Sequence, residues 1–309
     1  MSQERGPDGV CVVDKSPGPT SHDVVAQVRR SLGTRRVGHG GTLDPDAGGV
    51  LVLGVGRATR LLRYVSDLPK SYRAEVVLGL ETDTLDASGQ VVGRHDMAGL
   101  GLAEVRAAAA GLVGDLQQVP PMVSAVRMGG RRLHELARSG VEVERPARPV
   151  TVARFDVLAV VDPAAGPDLG DLDPSAEATT VVAIEVDCSS GTYVRSLAAE
   201  LGRALGGGAY LRHLRRTAVG PHTLARARPV DDLELLPPLA AVSHLPQVAV
   251  DDEVAVLVGR GSRLVRTGES ATFPGPGPWA VTRASTGALL AVYRAEGSRA
   301  HPVVVLASG

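Results

Sequence analysis

Residues 37–56, VGHGGTLDPDAGGVLVLGVG, limit what this chain can fold into more than any other stretch. Gly38, Gly40, Gly41, Gly48 and Gly49 crowd around His39, Thr42 and Asp44, and Pro45 stiffens the chain directly after the carboxylate. Glycine lets main chain come close to a ligand or a neighbouring strand, and proline fixes its direction. The apolar run Val50–Val55 reads as a buried strand. An Asp followed by Pro is ordinarily a turn or cap residue. Here it stands in a stiff loop anchored by a strand, which is how a catalytic carboxylate is mounted.

Elements of both periodicities surround this loop. GVCVVDK opens as a short strand; Ser21 then reads as the N-cap of a helix with Val24, Val25 and Val28 on one face and Gly33 as its stop. RATRLLRYVS reads as a short helix, YRAEVVLGL as a strand, and residues 102–114 as a helix ended by glycine. Residues 131–140 read as a short arginine-flanked helix, RPVTVARFDVLAVV and TTVVAIEVDCSS as strands, and GTYVRSLAAELGRALG as a helix. LRRTAVG looks like a turn leading into a strand. Residues 162–178, rich in acid, Pro, Gly and Ala, read as a surface loop. From residue 247 the texture changes to short strands between Gly/Pro turns, AVLVG, WAVTRA, ALLAVYRA and HPVVVLA, which suits a small barrel or sandwich.

At 309 residues and 44% hydrophobic the chain can bury a large core and add a smaller domain. The net charge of −1 hides segregation. Seven arginines lie within residues 28–63, six within 127–148 and five within 195–216, while acid gathers in 162–178 and after 230. Three basic stretches on one face would suit a polyanion. Cys11 and Cys188 are the only cysteines, too few for a disulfide framework or a zinc site, so a reducing cytoplasm is expected. No stretch has the apolar length of a membrane span.

Other chemistry finds little support. GVGRAT, residues 54–59, has Thr59 where a dinucleotide fingerprint needs Gly or Ala, and no P-loop is present. His22, His39, His134 and His213 lack metal-ligand spacing. CSSGTY lacks a nucleophile elbow, which leaves Cys188 as a core residue.

GHGGTLDPDAGGVLVLGVGRATR resembles the Gly-His-x-Gly-Thr-Leu-Asp-Pro signature of the bacterial TruB-type tRNA pseudouridine synthases. DKSPGPTSHDVVAQVRR, KSYRAEVVLGLETDTLDASG, QVPPMVSAVRMGGRRLHELARSGVEVERPARPV, VDCSSGTYVRSLAAELG, LRRTAVG and AVSHLPQVAV resemble further segments of that family in the same order, over nearly all of residues 9–250. Val123 stands where the family usually has Tyr or Phe, His134 where Tyr is common, and Gly40 where Thr is frequent. The 162–178 loop is extra, and the last part of the chain is similar to the family's C-terminal PUA domain only weakly.

The resemblance implies an α+β fold: a catalytic domain over residues 1–245, with a mixed, largely antiparallel sheet flanked by helices and an RNA-gripping insertion at about 124–150. A small β-rich PUA-like domain would follow over 246–309. It implies isomerisation of uridine 55 in the T-loop of tRNA to pseudouridine, without metal or organic cofactor. Asp44 matches the nucleophile, Arg195 its partner, and Tyr72 the tyrosine that stacks on the target base. Tyr193 and Leu214 match pocket residues, and His39 matches the residue wedged into the T-loop. Arg127, Arg131, Arg132 and Arg138 would grip phosphates. The expected partner is the tRNA T-arm, bound by a monomer, with no membrane. The competing expectation is a tRNA-binding protein that keeps the fold without the activity.

Overall fold

A computed structural model describes residues 6–123, 143–161, 179–266 and 273–306, and the backbone of 127–128 and 131–132. The chain forms two compact units, one from Met1–Leu68 with Ala218–Gly309 and one from Pro69–Thr217.

The first unit begins with β1 (Gly9–Lys15) and α1 (Ser21–Ser31). The cap of α1 lies one residue earlier than the sequence suggests. Thr20 takes it, because Asp23 stands at the third helical position and closes a reciprocal capping box with Thr20. Ser21 is thereby released for another task, described below. Val24, Val25 and Val28 are buried as their spacing requires, and Gly33 follows with φ of 60°. After β2 (Val37–His39) and the Asp44 loop, β3 (Gly48–Val55) is buried along its whole length. β1 pairs antiparallel with β3, from Gly9 opposite Val55 to Lys15 opposite Gly49, and β2 pairs antiparallel with the far end of β3. RATRLLRYVS divides into a 3-10 turn (Gly56–Leu61) and α2 (Leu62–Ser66).

The second unit is built on antiparallel strands. β4 (Lys70–Leu78) is followed by the hairpin of β5 (Leu80–Thr82) and β6 (Val91–Arg94), then by α3 (Leu102–Ala110), capped by Gly111. β7 (Gly114–Gln118) leads to a two-stranded hairpin, β8 (Arg127–Met128) with β9 (Arg131–Arg132). Residues 131–132 are therefore strand rather than helix, and the rest of the helix expected over 131–140 lies outside the described residues. So do the 162–178 loop and His134. β10 (Arg148–Val161) pairs with β7 on one side and β11 (Thr180–Cys188) on the other, and β11 pairs with β4. α4 (Val194–Ala204) packs its buried face onto the core of these strands. β12 (Ala209–Val219) neighbours β4. LRRTAVG lies inside this strand except for Gly220, which begins the turn after it. Buried Arg212, held by Glu75 Oε2 through Nε at 2.8 Å and Nη2 at 2.6 Å, interrupts the apolar pattern that would reveal a strand.

Past Thr217 the chain returns to the first unit. β12 turns into β13 (His222–Thr223), and residues 228–236 bond back to β1. A five-stranded sheet then forms in the order β14 (Gln247–Val250), β16 (Trp279–Arg283), β17 (Leu289–Glu296), β18 (Arg299–Val305) and β15 (Leu264–Val265). Only β14 with β16 is parallel. AVLVG is not a strand: it ends α5 (Asp252–Gly259). Asp251 accepts from Val254 N at 2.8 Å, two acids occupy the first turn, and Ala255 and Val258 are buried three residues apart. Capping and tertiary burial override the strand preference of valine. Ala280, Leu289, Val292, Val304 and Leu306 share one core with Val10, Val12, Val50 and Val52.

Candidate active site

The first unit carries Asp44 and His39. Asp44 is half-buried in the loop between β2 and β3. Two buried polar side chains hold its main chain. Lys15, fully buried at the end of β1, donates to the carbonyls of Ala47 at 2.6 Å, Pro45 at 2.8 Å, and Asp44 and Ser16 at 3.2 Å. Ser21 Oγ donates to Leu43 O at 3.0 Å and accepts from Leu43 N at 2.9 Å. Gly18 N adds a bond to Pro45 O and Ala47 N one to Asp44 O. A buried ammonium is costly unless its protons are satisfied, so these carbonyls and Lys15 require each other. The sequence reading missed Lys15 and misassigned Ser21. The only signal in the sequence is that the chain has just two lysines; the structure buries both.

His39 ends β2, and its ring meets that of His22 edge-on, with centroids 5.6 Å apart and planes at 77°. A Cβ on Gly40 would lie 2.6 Å from Val65 Cγ1. Val65 thus occupies the space that the family's more frequent threonine would need, and the departure at residue 40 has a packing reason.

The second unit carries Tyr72, Tyr193, Arg195 and Leu214. Tyr72 lies on β4 opposite Val186, and Leu214 on β12; both pack, half-buried, against the core that includes Val194 and Leu197. Arg195 is 4% exposed in the first turn of α4. Its Nη2 donates to Val123 O at 2.9 Å and its Nη1 to Thr84 O at 3.1 Å. Nη1 also lies 3.1 Å from Asp86 Oδ2. A guanidinium buried this far needs such acceptors, and bonds from both terminal nitrogens of the planar group restrict its orientation.

Asp86, which contacts the candidate residue Arg195, is one that the sequence reading passed over, although it lies in the quoted segment TDTLDASG. Its second oxygen, Oδ1, accepts from Ser88 Oγ at 2.6 Å, Thr84 Oγ1 at 2.7 Å and Ser88 N at 3.1 Å. The preceding residue, Leu85, is the one non-glycine residue with positive φ (62°) among the described residues. A bulky side chain in that region is strained by roughly 1 kcal/mol or more. Hydrogen bonds from Leu85 N to Thr82 O and from Leu211 N to Leu85 O hold it there. Asp86, the next residue, lies 3.1 Å from Arg195 Nη1 through Oδ2.

Arg127, Arg131 and Arg132 lie on the β8–β9 hairpin, where Arg127 pairs with Arg132 and Met128 with Arg131; Arg138 lies outside the described residues. The Cys188 thiol is pushed up to about 11 by burial, which suits a core residue rather than a nucleophile. Among the described residues no cluster of His, Cys, Asp and Glu could hold a metal ion, and no helix is long and apolar enough to cross a membrane.

Comparison with known proteins identifies the family. The model of the TruB family pseudouridylate synthases, N-terminal domain, matches residues 29–194, more than half of the chain. That match runs through Asp44 and Tyr72 and stops one residue before Arg195. A tRNA pseudouridine synthase B of Arthrobacter sp. is 45% identical over 309 residues, covering 97% of this chain and 96% of its own. One of Symbiobacterium thermophilum is 48% identical over 259 residues, 82% of each chain. A solved chain from a Cbf5-Nop10-Gar1 complex aligns with TM-score 0.68 at 26% identity, covering 96% of this chain and 84% of that one. By this family match and these near-full-length relatives, the chain belongs to the TruB family of pseudouridylate synthases.

Proposed function

We propose that this chain isomerises uridine 55 in the T-loop of tRNA to pseudouridine, with Asp44 as the nucleophile. The observation that carries the reading is the mount of the Asp44 loop, whose main chain is fixed by buried Lys15 and Ser21. Fixing a backbone with buried charge is costly, and a loop that served only as a turn would not need it.

The reaction detaches the base, rotates it, and rejoins it through carbon. It is an isomerisation, so it balances without an oxidant, a reductant or a nucleotide. The target must leave its stack, at a cost of a few kcal/mol. His39 fills the space that the flipped base vacates, and Tyr72 stacks on the uracil inside the pocket, with Tyr193 and Leu214 lining it. A carboxylate can attack either the anomeric carbon or the uracil ring, and both routes need it ionised in a site partly shielded from water. Burial alone would raise its pKa; a guanidinium opposite it offsets that. Arg195 is the residue to which we assign that role, and within the second unit Asp86 with the Thr84 and Val123 carbonyls holds its guanidinium.

Arg127, Arg131, Arg132 and Arg138 hold T-arm phosphates and give salt-sensitive affinity that does not depend on sequence. By function, residues 1–245 carry the chemistry, with the insertion at about 124–150 as the RNA grip, and residues 246–309 act as a PUA-like RNA-binding domain. The enzyme works in the cytoplasm, as a monomer, without a cofactor. The test is purified protein with an unmodified tRNA transcript, the product mapped nucleotide by nucleotide. Pseudouridine at position 55 alone is expected. Tight tRNA binding with no pseudouridine formed would leave only a non-catalytic tRNA-binding role.

A further inference from the structure

We propose that Gln118 is a positioning residue for this reaction. Its side-chain amide clasps the main chain of Tyr193 and thereby aims Tyr193 and Arg195. The proposal rests on the reading of those two residues given above.

Gln118 is the last residue of β7 and is 2% exposed. Its Oε1 accepts from Tyr193 N at 2.7 Å, and its Nε2 donates to Tyr193 O at 3.2 Å. The two bonds run in opposite senses, so one primary amide satisfies both polar groups of one main-chain unit. Tyr193 precedes α4 in an extended conformation (φ −100°, ψ 109°) and makes no side-chain cap bond. The turn before it contains Gly191 at φ 83°. Without Gln118, the residue that opens the helix would have no side chain to set its angle, and Arg195 follows two positions later.

The segment continuing from Gln118 ties down the same turn twice more. Ser196 Oγ donates to Val119 O at 3.2 Å, and Arg195 Nη2 donates to Val123 O at 2.9 Å. Residues 193, 195 and 196 are thus each fastened to the strap 118–123. Of these ties to the strap, only the Gln118 bonds reach main-chain atoms of the turn; Tyr193 O also accepts the first helical bond, from Leu197 N at 3.2 Å, and Tyr193 N bonds to Gln118. A buried glutamine merely filling the core needs partners, but those partners need not be the two main-chain atoms of a pocket tyrosine. Asparagine is one methylene too short. Glutamate keeps the acceptor and, when ionised, has no donor for Tyr193 O.

The test measures single-turnover rate and tRNA affinity for wild type, Gln118→Ala, Gln118→Glu and Arg195→Ala, with thermal melts on the same samples. Gln118→Ala is expected to lose about 10- to 100-fold in rate, with affinity within about threefold of wild type, because displacement of a site group by about 1 Å costs that much. Gln118→Glu carries a signature that general loosening does not produce. A carboxyl that is buried and faces a carbonyl titrates above its usual range, and once protonated it regains a donor for Tyr193 O. Its rate relative to wild type should therefore recover as pH falls from about 8 to about 6. A folded Gln118→Ala with near-normal rate, or a Gln118→Glu defect that does not change with pH, overturns the proposal. If the alanine variant does not fold, the glutamate pH response decides alone. If Arg195→Ala itself turns over normally, the fault lies in the site reading instead.

Discussion

The first unit holds Asp44 by its main chain, whereas the second holds Arg195 by its side chain. Around Asp44, the Lys15 ammonium and the Ser21 hydroxyl bond to N–H and carbonyl groups of residues 43–47, and none of these bonds uses the carboxylate. Around Arg195, two carbonyls and the Asp86 carboxylate bond to the guanidinium itself. A nucleophile needs a lone pair for the substrate, and bonds to its main chain set the loop without occupying the attacking oxygen. A guanidinium has five N–H groups and can give some to its mount while others remain for a partner. The division of labour follows from the chemistry each group performs.

Breaking the two mounts should give effects of different kinds. Of these changes Arg195→Ala is expected to have the largest effect, slowing pseudouridine formation about 1,000-fold with tRNA affinity little changed, because the nucleophilic carboxylate loses the positive charge proposed to favour its ionised form. Asp86→Asn should slow the reaction about 10- to 100-fold by loosening the guanidinium. Added to Arg195→Ala it should cost nothing further; full additivity in that cycle would contradict an action through Arg195. Lys15→Met acts on stability as well as rate. Stranding several buried carbonyls costs about 3 kcal/mol, a melting shift of roughly 6–10 °C, and the folded fraction should still turn over slowly. Ser21→Ala removes a smaller tie, about 1–2 kcal/mol, with a modest loss of rate.

A third arrangement provides a control with the smallest effect. On the strands of the second unit, Arg154 bonds Asp187 at 2.7 Å, Asp156 at 2.8 Å and Glu185 at 3.0 Å, and Arg73 bonds Glu185 at 2.6 Å. Arg73, then Arg154, holds the Glu185 carboxyl below its usual range, and Arg154 does the same for Asp187. With both folded-state values lowered, their stabilisation is present above the unfolded carboxylate range and is lost as pH falls through the folded values. Acid melts below about pH 4 should lose this contribution, and Arg154→Ala should flatten that loss while costing under about 1 kcal/mol at neutral pH, since the pairs are largely solvated. Catalysis should not change.

What could be read from the sequence follows the range of the interactions. β3 and α1 were legible because burial writes its own period into eight apolar or glycine residues and into Val24, Val25 and Val28. Asp44, Tyr72 and Arg195 were legible as parts of segments that resemble one family. Lys15, Asp86 and Gln118 were not, because each acts through residues distant in sequence: Lys15 reaches Ala47 across 32 positions, and Arg195 reaches Thr84 across 111. No local period records such a partner. β12 was obscured because Arg212 and Arg216 are buried inside it, and α5 because its valines favour strand until the Asp251 cap is weighed.

The most direct test of the central claim is the single-turnover rate of Asp44→Asn on an unmodified tRNA transcript, with tRNA affinity and melting temperature taken on the same preparation. The expected result is a loss of at least about four orders of magnitude in pseudouridine formation. Affinity and melting should be near wild type, because the mount of this loop uses main-chain atoms that asparagine keeps. Pseudouridine formed by Asp44→Asn at a rate close to wild type would contradict the account.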